Sequence, residues 1–148
     1  TYGSKIGYNS SYGGDHGIRM AEAYLNRAEA LTRRFMTKGD ENDRVQALND
    51  LNTLRETRYV AGTYVDEEIT NAQDLLDFCV NERRLELCME EGFRWFDIKR
   101  FGLSVTHRYI DSEGTEREYV LESNSLLYAL PIPYDAMERN YKLKQNPR

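Results

Sequence analysis

The stretch RMAEAYLNRAEAL at residues 19–31 carries the pattern that decides the fold class of this chain. Its apolar residues recur every three or four positions and continue to Phe35, whereas Glu22 falls outside the stripe. At about 100° per residue, such positions cover one side of a helix. We therefore predict an amphipathic helix that begins near Ile18 and ends at Gly39, because glycine favours a helix stop.

Two more helices are predicted downstream of this one. Asp43 is a candidate N-cap for the second helix. The apolar stripe of that helix consists of Ala47, Leu48, Leu51 and Leu54. The third helix is predicted over residues 70–91, with a cap at Thr70 or Asn71 and a stop at Gly92. We expect a mainly α fold of antiparallel helical hairpins.

The second half of the chain mixes aromatic, strand-like and turn-like segments. FRWFDIKRFG at residues 93–102 concentrates large apolar side chains, which predicts a short helix of core residues. THRYI and TEREYVL flank the turn-forming residues 111–114, which predicts one small β-hairpin. Pro133 is suited to open a short helix over residues 136–140.

The composition is that of a folded, acidic chain. Of its 148 residues, 40% are hydrophobic and 30% are charged, which is enough apolar surface to offset chain entropy. A net charge of −5 disfavours a surface that follows nucleic-acid phosphates. No window approaches the ~18 consecutive apolar residues of a membrane span. We therefore expect a soluble chain without a nucleic-acid partner.

The cysteines and histidines offer little chemistry. Cys79 and Cys88 lie in one predicted helix, about 13 Å apart along its axis and on opposite sides, so they cannot form a disulfide. Each is predicted to be a small buried apolar side chain. His16 and His107 have no neighbours at metal-ligand spacing. We expect neither a metal site nor a cofactor.

Four charged residues fall inside the predicted apolar stripes. The stripe of the third helix consists of Leu75, Cys79, Leu85 and Met89. Glu82 and Glu86 lie in its middle, and Arg55 and Arg58 lie in the stripe of the second helix. Burying an unpaired charge costs several kcal/mol, so we expect these side chains to meet as bidentate pairs. Arg94, Asp97 and Arg100 are candidates to join this structural ion network.

An alternative is that Glu82 and Glu86 act as an acid–base pair, as glycoside hydrolysis requires. Carboxylates one turn apart on one helix lie too close and too parallel to flank a sugar ring, and arginines nearby should hold both ionised. We therefore expect no catalytic residue and no enzymatic activity. Instead, Glu86→Ala should cost on the order of 3 kcal/mol, because a buried arginine would lose its partner.

Four blocks cover most of the chain in a fixed order. They are RMAEAYLNRAEAL, DLNTLRETRY, NERRLELCMEEGFRWFDIKRFG and YALPIPYDAMERNYKLKQNP. Together they resemble the C-terminal part of the SusD/RagB family. This resemblance implies a SusD-like, tetratricopeptide-like helical fold. It also implies a non-catalytic glycan-binding lipoprotein of Bacteroidetes, located in the outer membrane and facing the cell exterior.

The resemblance further implies the partners and the organisation of the protein. Family members bind an oligosaccharide or polysaccharide and deliver it to a SusC-like TonB-dependent transporter. They are several times longer than this chain. We therefore expect residues 1–17 to be an irregular lead-in and residues 18–148 to be the helical C-terminal part of a longer protein. The lipid anchor would lie in missing N-terminal sequence, since Cys79 and Cys88 lie deep inside a predicted helix.

Exposed aromatic rings and planar polar side chains are the groups expected to bind sugars. The candidate ligand-binding residues are Tyr2, Tyr8, Asn9, Tyr12, Tyr59 and Tyr64. The residues of the lead-in would otherwise pack on the helices or on missing domains. Trp95 is predicted to pack in a core, because it lies between Phe93 and Phe96 in a helix.

The alternative function is a tetratricopeptide-like scaffold for protein interactions. Ala21 and Ala28 occupy close-packing positions of the first helix, as in such repeats. The hairpin, the PIP sequence and the charged third helix interrupt any 34-residue period, which disfavours this alternative.

Overall fold

The computed structural model describes residues 19–88, 90 and 92–147. The described elements are α1 (Met20–Lys38), α2 (Glu41–Glu56), α3 (Ala72–Glu86), α4 (Phe93–Phe101), β1 (Val105–Ile110), β2 (Glu116–Leu121), a 3₁₀ turn (Leu126–Tyr128) and α5 (Tyr134–Arg139). The predicted mainly α fold with one small antiparallel sheet is confirmed. The chain divides between residues 91 and 92 into two compact units.

The first unit is built around α1. This helix packs against both α2 and α3, which touch each other much less. Ala28 of α1 and Ala47 of α2 have no exposed surface, and small side chains allow two helix backbones to approach closely. Leu25, Leu51 and Leu75 fill the space between the three helices, each exposed by 2% or less.

The ends of α1 and α2 follow from local chemistry. Gly39 adopts φ +70°, and its N–H donates to the Phe35 carbonyl at 2.8 Å, so the predicted stop of α1 is confirmed. The predicted cap at Asp43 is wrong. Asp40 caps α2 instead, because it directly precedes the first helical residue and its carboxylate accepts from the Asn42 N–H at 3.0 Å.

Asp43 lies inside the first turn of α2 and faces α1. Its carboxylate is 1% exposed and accepts two hydrogen bonds from Arg34. About two helical turns away on each helix, Arg27 donates two hydrogen bonds to Asp50, at 2.7 and 2.6 Å. In each pair the two residue numbers add to the same total, as antiparallel helices require. These ion pairs set the register of α1 against α2.

The Arg34–Asp43 ion pair makes the stability of the fold depend on pH. The hydrogen bond from Arg34 lowers the pKa of Asp43, and burial opposes this only in part. The stabilisation is therefore complete above the ordinary aspartate pKa of about 3.9 and is lost as pH falls through the lower pKa of the folded state. We expect Asp43→Asn to lower the denaturation midpoint at neutral pH and to flatten its decline on acidification. Urea denaturation across this pH range measures both effects, with the exposed Asp135→Asn as control. An unchanged slope would contradict the prediction.

α3 is shorter than predicted. Asn71 caps it, accepting from the N–H groups of Gln73 and Asp74, but the helix ends at Glu86, since Leu87 leaves helical geometry. Cys79 is buried as predicted, whereas the prediction for Cys88 is wrong, because it follows the helix and is exposed. Leu85 is 52% exposed, since it lies about 90° from the stripe that faces α1. Met89 is outside the described residues.

The second unit is tied together at the end of α4. Gly102 terminates this helix with φ +63°, as predicted. Its carbonyl accepts from the Ser123 hydroxyl at 2.6 Å, and the Tyr128 hydroxyl donates to the Leu103 carbonyl at 2.7 Å. These bonds connect the two ends of the hairpin. α5 begins directly after Pro133, close to its predicted start.

The predicted core role of residues 93–101 holds only in part. Ile98 is 6% exposed, whereas Phe96 is 59% exposed. Trp95 is half-buried. A nine-residue helix has room for one buried side, and Phe96 lies on the other side from Ile98.

Candidate functional site

The ion network expected from the sequence surrounds Arg55 in the last turn of α2. The Arg55 side chain is 16% exposed. Its Nη1 atom donates to Oε1 of Glu82 on α3 at 2.5 Å, and its Nη2 atom donates to the Tyr59 hydroxyl at 3.0 Å and to Oε1 of Glu67 at 3.3 Å. One guanidinium therefore joins two helices to the loop between them.

Three aromatic rings surround the same guanidinium. Its central carbon lies 5.6 Å from the ring centroid of Tyr59, 5.8 Å from that of Tyr64 and 5.1 Å from that of Phe78. Cation–π attraction is effective at such distances. The two tyrosine centroids are 4.9 Å apart, with the rings inclined at 55°. Arg55 thus positions Tyr59 and Tyr64, the two candidate sugar contacts that lie in this loop.

Asn52 fixes the loop that carries these tyrosines. Its Oδ1 atom accepts from the Tyr64 hydroxyl at 2.7 Å and from the Glu67 N–H at 3.0 Å, while its Nδ2 atom donates to the Glu67 carbonyl at 3.2 Å. Tyr64 is half-buried as a result, whereas Tyr59 remains 48% exposed. Tyr59 therefore presents a ring to solvent from a fixed position.

Glu86 is the centre of the second half of the network. It is 8% exposed and accepts two hydrogen bonds from Arg58, at 2.9 and 2.5 Å, and one from Arg19 at 3.1 Å. Arg19 also pairs with Glu90 at 3.0 Å. Glu82 and Glu86 are thus both buried, and they are held by different arginines.

The arginine beside Glu86 is not buried, contrary to expectation. The Arg58 side chain is 51% exposed and that of Arg19 is 40% exposed, so either can be hydrated when its partner is removed. The expected cost of Glu86→Ala therefore falls to about 1 kcal/mol. Arg55, which is far less exposed, is the arginine that depends on its carboxylate.

Burial and pairing act in opposite directions on these charges. Burial raises the pKa of Glu82, and Arg55 offsets that shift only in part. The hydrogen bond to Glu86 raises the pKa of Arg58. A raised carboxyl pKa is a property of general acids, but the Glu82 carboxylate is bound by Arg55. The other carboxylate, Glu86, lies one turn away on the same side of α3. The pair does not have the arrangement of two carboxylates on opposite sides of a substrate.

The remaining predicted network residues, Arg94, Asp97 and Arg100, belong to the second unit. In the second unit, Arg100 donates to Asp97 at 2.9 Å within α4, and Arg94 is exposed. Tyr2, Tyr8, Asn9 and Tyr12 lie outside the described residues. Among the residues that the structure describes, no cluster of three potential metal ligands is found, and no helix is long and apolar enough to cross a membrane.

Several residues of the site escaped sequence reasoning. Asn52 and Glu67 contact Arg55 or its loop from outside the apolar stripes. Phe78 contacts the Arg55 guanidinium and was not among the stripe residues named for the third helix. The Arg27–Asp50 and Arg34–Asp43 pairs carried a readable signal, since both arginines and both aspartates are seven residues apart on consecutive helices. Residues with that spacing share a helix face, which allows two antiparallel pairs to form together.

The chain that carries the Arg55 loop is similar to known proteins over most of its length. The SusD family model matches residues 2–148. The chain belongs to the SusD family. A SusD-like protein from Bacteroides fragilis has a similar solved structure, with a TM-score of 0.54 and 27% identity, covering 85% of this chain and 24% of the other. The predicted SusD-like fold is therefore confirmed.

Two relatives agree with this assignment. SusD-like protein P38 of Formosa agariphila is 36% identical over 90 residues, which are 60% of this chain and 17% of the relative. The starch-binding protein SusD of Bacteroides thetaiotaomicron is 33% identical over 130 residues, or 87% of this chain and 20% of the relative. The chain thus spans about a fifth of the length of these SusD family members.

Proposed function

We propose that this chain belongs to a non-catalytic nutrient-capture protein that binds oligosaccharides at the cell surface. The protein delivers them to a SusC-like TonB-dependent transporter in the outer membrane. Residues 18–148 form the helical C-terminal part of the longer protein, residues 1–17 lead into it, and a lipid anchor lies outside this chain. The similarity to a starch-binding family member over 87% of the chain supports a carbohydrate ligand.

The observation that carries the proposal is the fixed, half-exposed ring of Tyr59 beside Tyr64. A sugar ring presents C–H groups on its face, and these pack on an aromatic ring while hydroxyls bond to planar polar groups. Arg55 and Asn52 hold the two tyrosines before any ligand arrives, which reduces the entropy cost of binding. In this proposal, Tyr59 stacks on a sugar and Tyr64 supports it.

Calorimetry with soluble polysaccharides tests the capture role. We expect the full-length protein to bind and the 148-residue chain to bind weakly or not at all, since much of the ligand surface lies outside it. Neither should release reducing sugar. Release of reducing sugar by the chain would overturn the non-catalytic assignment, and failure of the full-length protein to bind any glycan would overturn the capture role.

A single substitution tests the Tyr59 contact. In the full-length protein, Tyr59→Ala should weaken glycan binding about tenfold, which corresponds to ~1.4 kcal/mol. Tyr141→Ala removes a ring that is 88% exposed in the other unit and serves as the matched control. Equal affinities of the two variants would exclude Tyr59 from the binding site.

A further inference from the structure

The β-hairpin of the second unit carries an exposed aromatic face that the Tyr59 site does not use. β1 pairs with β2 in the register Val105↔Leu121 to Ile110↔Glu116. Alternate residues of a strand point to the same face, so His107 and Tyr109 share one face with Tyr119 and Arg117. Tyr109 is 55% exposed and Tyr119 is 58% exposed.

The two faces of the hairpin differ in chemistry. On the opposite face, Arg108 pairs with Glu118 at 3.2 Å and with Glu116 at 3.7 Å, next to Ile110 and Val120. The aromatic face has its three rings close together, since His107 lies directly opposite Tyr119 and Tyr109 is the next residue on the same side. The aromatic rings are thus collected on one side, and both ion pairs of Arg108 lie on the other.

The size of this face limits what can cover it. Two paired strands of six residues present a surface about 20 Å long and about 10 Å wide, or roughly 200 Å². A stable protein–protein interface needs about 800 Å² from each partner, so this face alone is too small for a second copy of the chain. An extended oligosaccharide of a few sugar rings matches its dimensions.

The charge on the face favours a neutral ligand. Arg117, its basic side chain, lies 3.4 Å from the Asp111 carboxylate in the turn, which offsets its charge. The tyrosine hydroxyls and the His107 ring nitrogens supply hydrogen-bond donors and acceptors beside the rings. Flat rings flanked by hydrogen-bonding atoms suit sugars, which combine an apolar face with hydroxyls at the edge.

We infer that His107, Tyr109 and Tyr119 form a second carbohydrate-binding platform, which binds an uncharged oligosaccharide by stacking. The inference rests on the proposed capture function and assigns it an additional contact surface, in a different unit from Tyr59. Two separate contact points on one polysaccharide would raise its overall affinity through effective concentration.

NMR titration of the 148-residue chain with maltoheptaose and with xylohexaose tests the platform, because amide shifts detect weak binding and report its location. We expect shifts at residues 105–121 for at least one of these sugars. Tyr109→Ala with Tyr119→Ala should weaken that binding at least about tenfold. The matched control, Ile110→Ala with Val120→Ala, removes exposed apolar side chains from the opposite face and should change it less than about twofold.

The other outcomes distinguish this inference from the proposed function. Shifts confined to residues around Tyr59 would overturn the platform and leave the Tyr59 contact intact. Equal loss in both double variants would overturn the platform, because the effect would then reflect the stability of the hairpin. Absence of shifts at residues 105–121 with both sugars would also overturn it, and glycan binding by the full-length protein would still decide the capture role independently.

Discussion

Replacing Glu82 with alanine is expected to lower the free energy of unfolding by about 3 kcal/mol. Arg55 would keep its charge in a position where its side chain is only 16% exposed and would lose its closest carboxylate. Glu67 lies at 3.3 Å and is itself 42% exposed, so it compensates only in part. Urea denaturation followed by circular dichroism measures the change. Glu56→Ala, at an exposed position of α2, is the control and should stay within about 0.5 kcal/mol.

A double substitution shows whether the pair stabilises the fold or only becomes costly when it is broken. Burial raises the pKa of Glu82 even beside Arg55, which means that the desolvation of Glu82 outweighs its attraction to Arg55. Arg55→Met combined with Glu82→Leu should therefore recover most of the lost stability, because neither charge remains buried. If the double variant is as unstable as Glu82→Ala, the explanation by an unpaired charge is wrong.

The second large effect is expected at Leu75, where alanine should cost about 3 kcal/mol. Leu75 has no exposed surface, and α1 packs over it. Leu85 on the same helix provides a matched control, because it is 52% exposed and its replacement by alanine should cost well under 1 kcal/mol. Denaturation midpoints of the two variants decide the matter. Similar losses would show that both leucines lie in the core, as the helical pattern of the sequence predicts.

The contrast between Leu75 and Leu85 shows which buried positions helical periodicity can predict. The spacing of Leu75, Cys79, Glu82 and Glu86 defines a narrow stripe, and all four are buried. Leu85 was assigned to this stripe because it is apolar and lies near its edge. Whether an edge position is covered depends on the width of the neighbouring helix surface, which the pattern of a single helix does not contain.

Capping residues could likewise be predicted where their effect is local. Gly39, Asn71, Gly102 and Pro133 act within a few residues of their own position, so their roles could be predicted from the sequence. The cap prediction for Asp43 is wrong because the residue type suits a helix start, whereas Arg34 on the preceding helix binds its carboxylate and determines its actual role. Local rules identify which residues are suited to a helix end, but a contact with another helix can recruit the same side chain.

The sequence by itself determined the helical class, the hairpin, the family and the choice of Arg55, Arg58, Glu82 and Glu86 as charges that must be accommodated inside apolar stripes. These properties depend on residue types and on spacings within one element. Only the tertiary structure decided that Arg55 is surrounded by Tyr59, Tyr64 and Phe78, that Arg58 remains half exposed, and that the hairpin presents its aromatic face to solvent. The physical reason is that burial and pairing depend on which surfaces meet across the chain, and residues that meet here are separated by up to 67 positions.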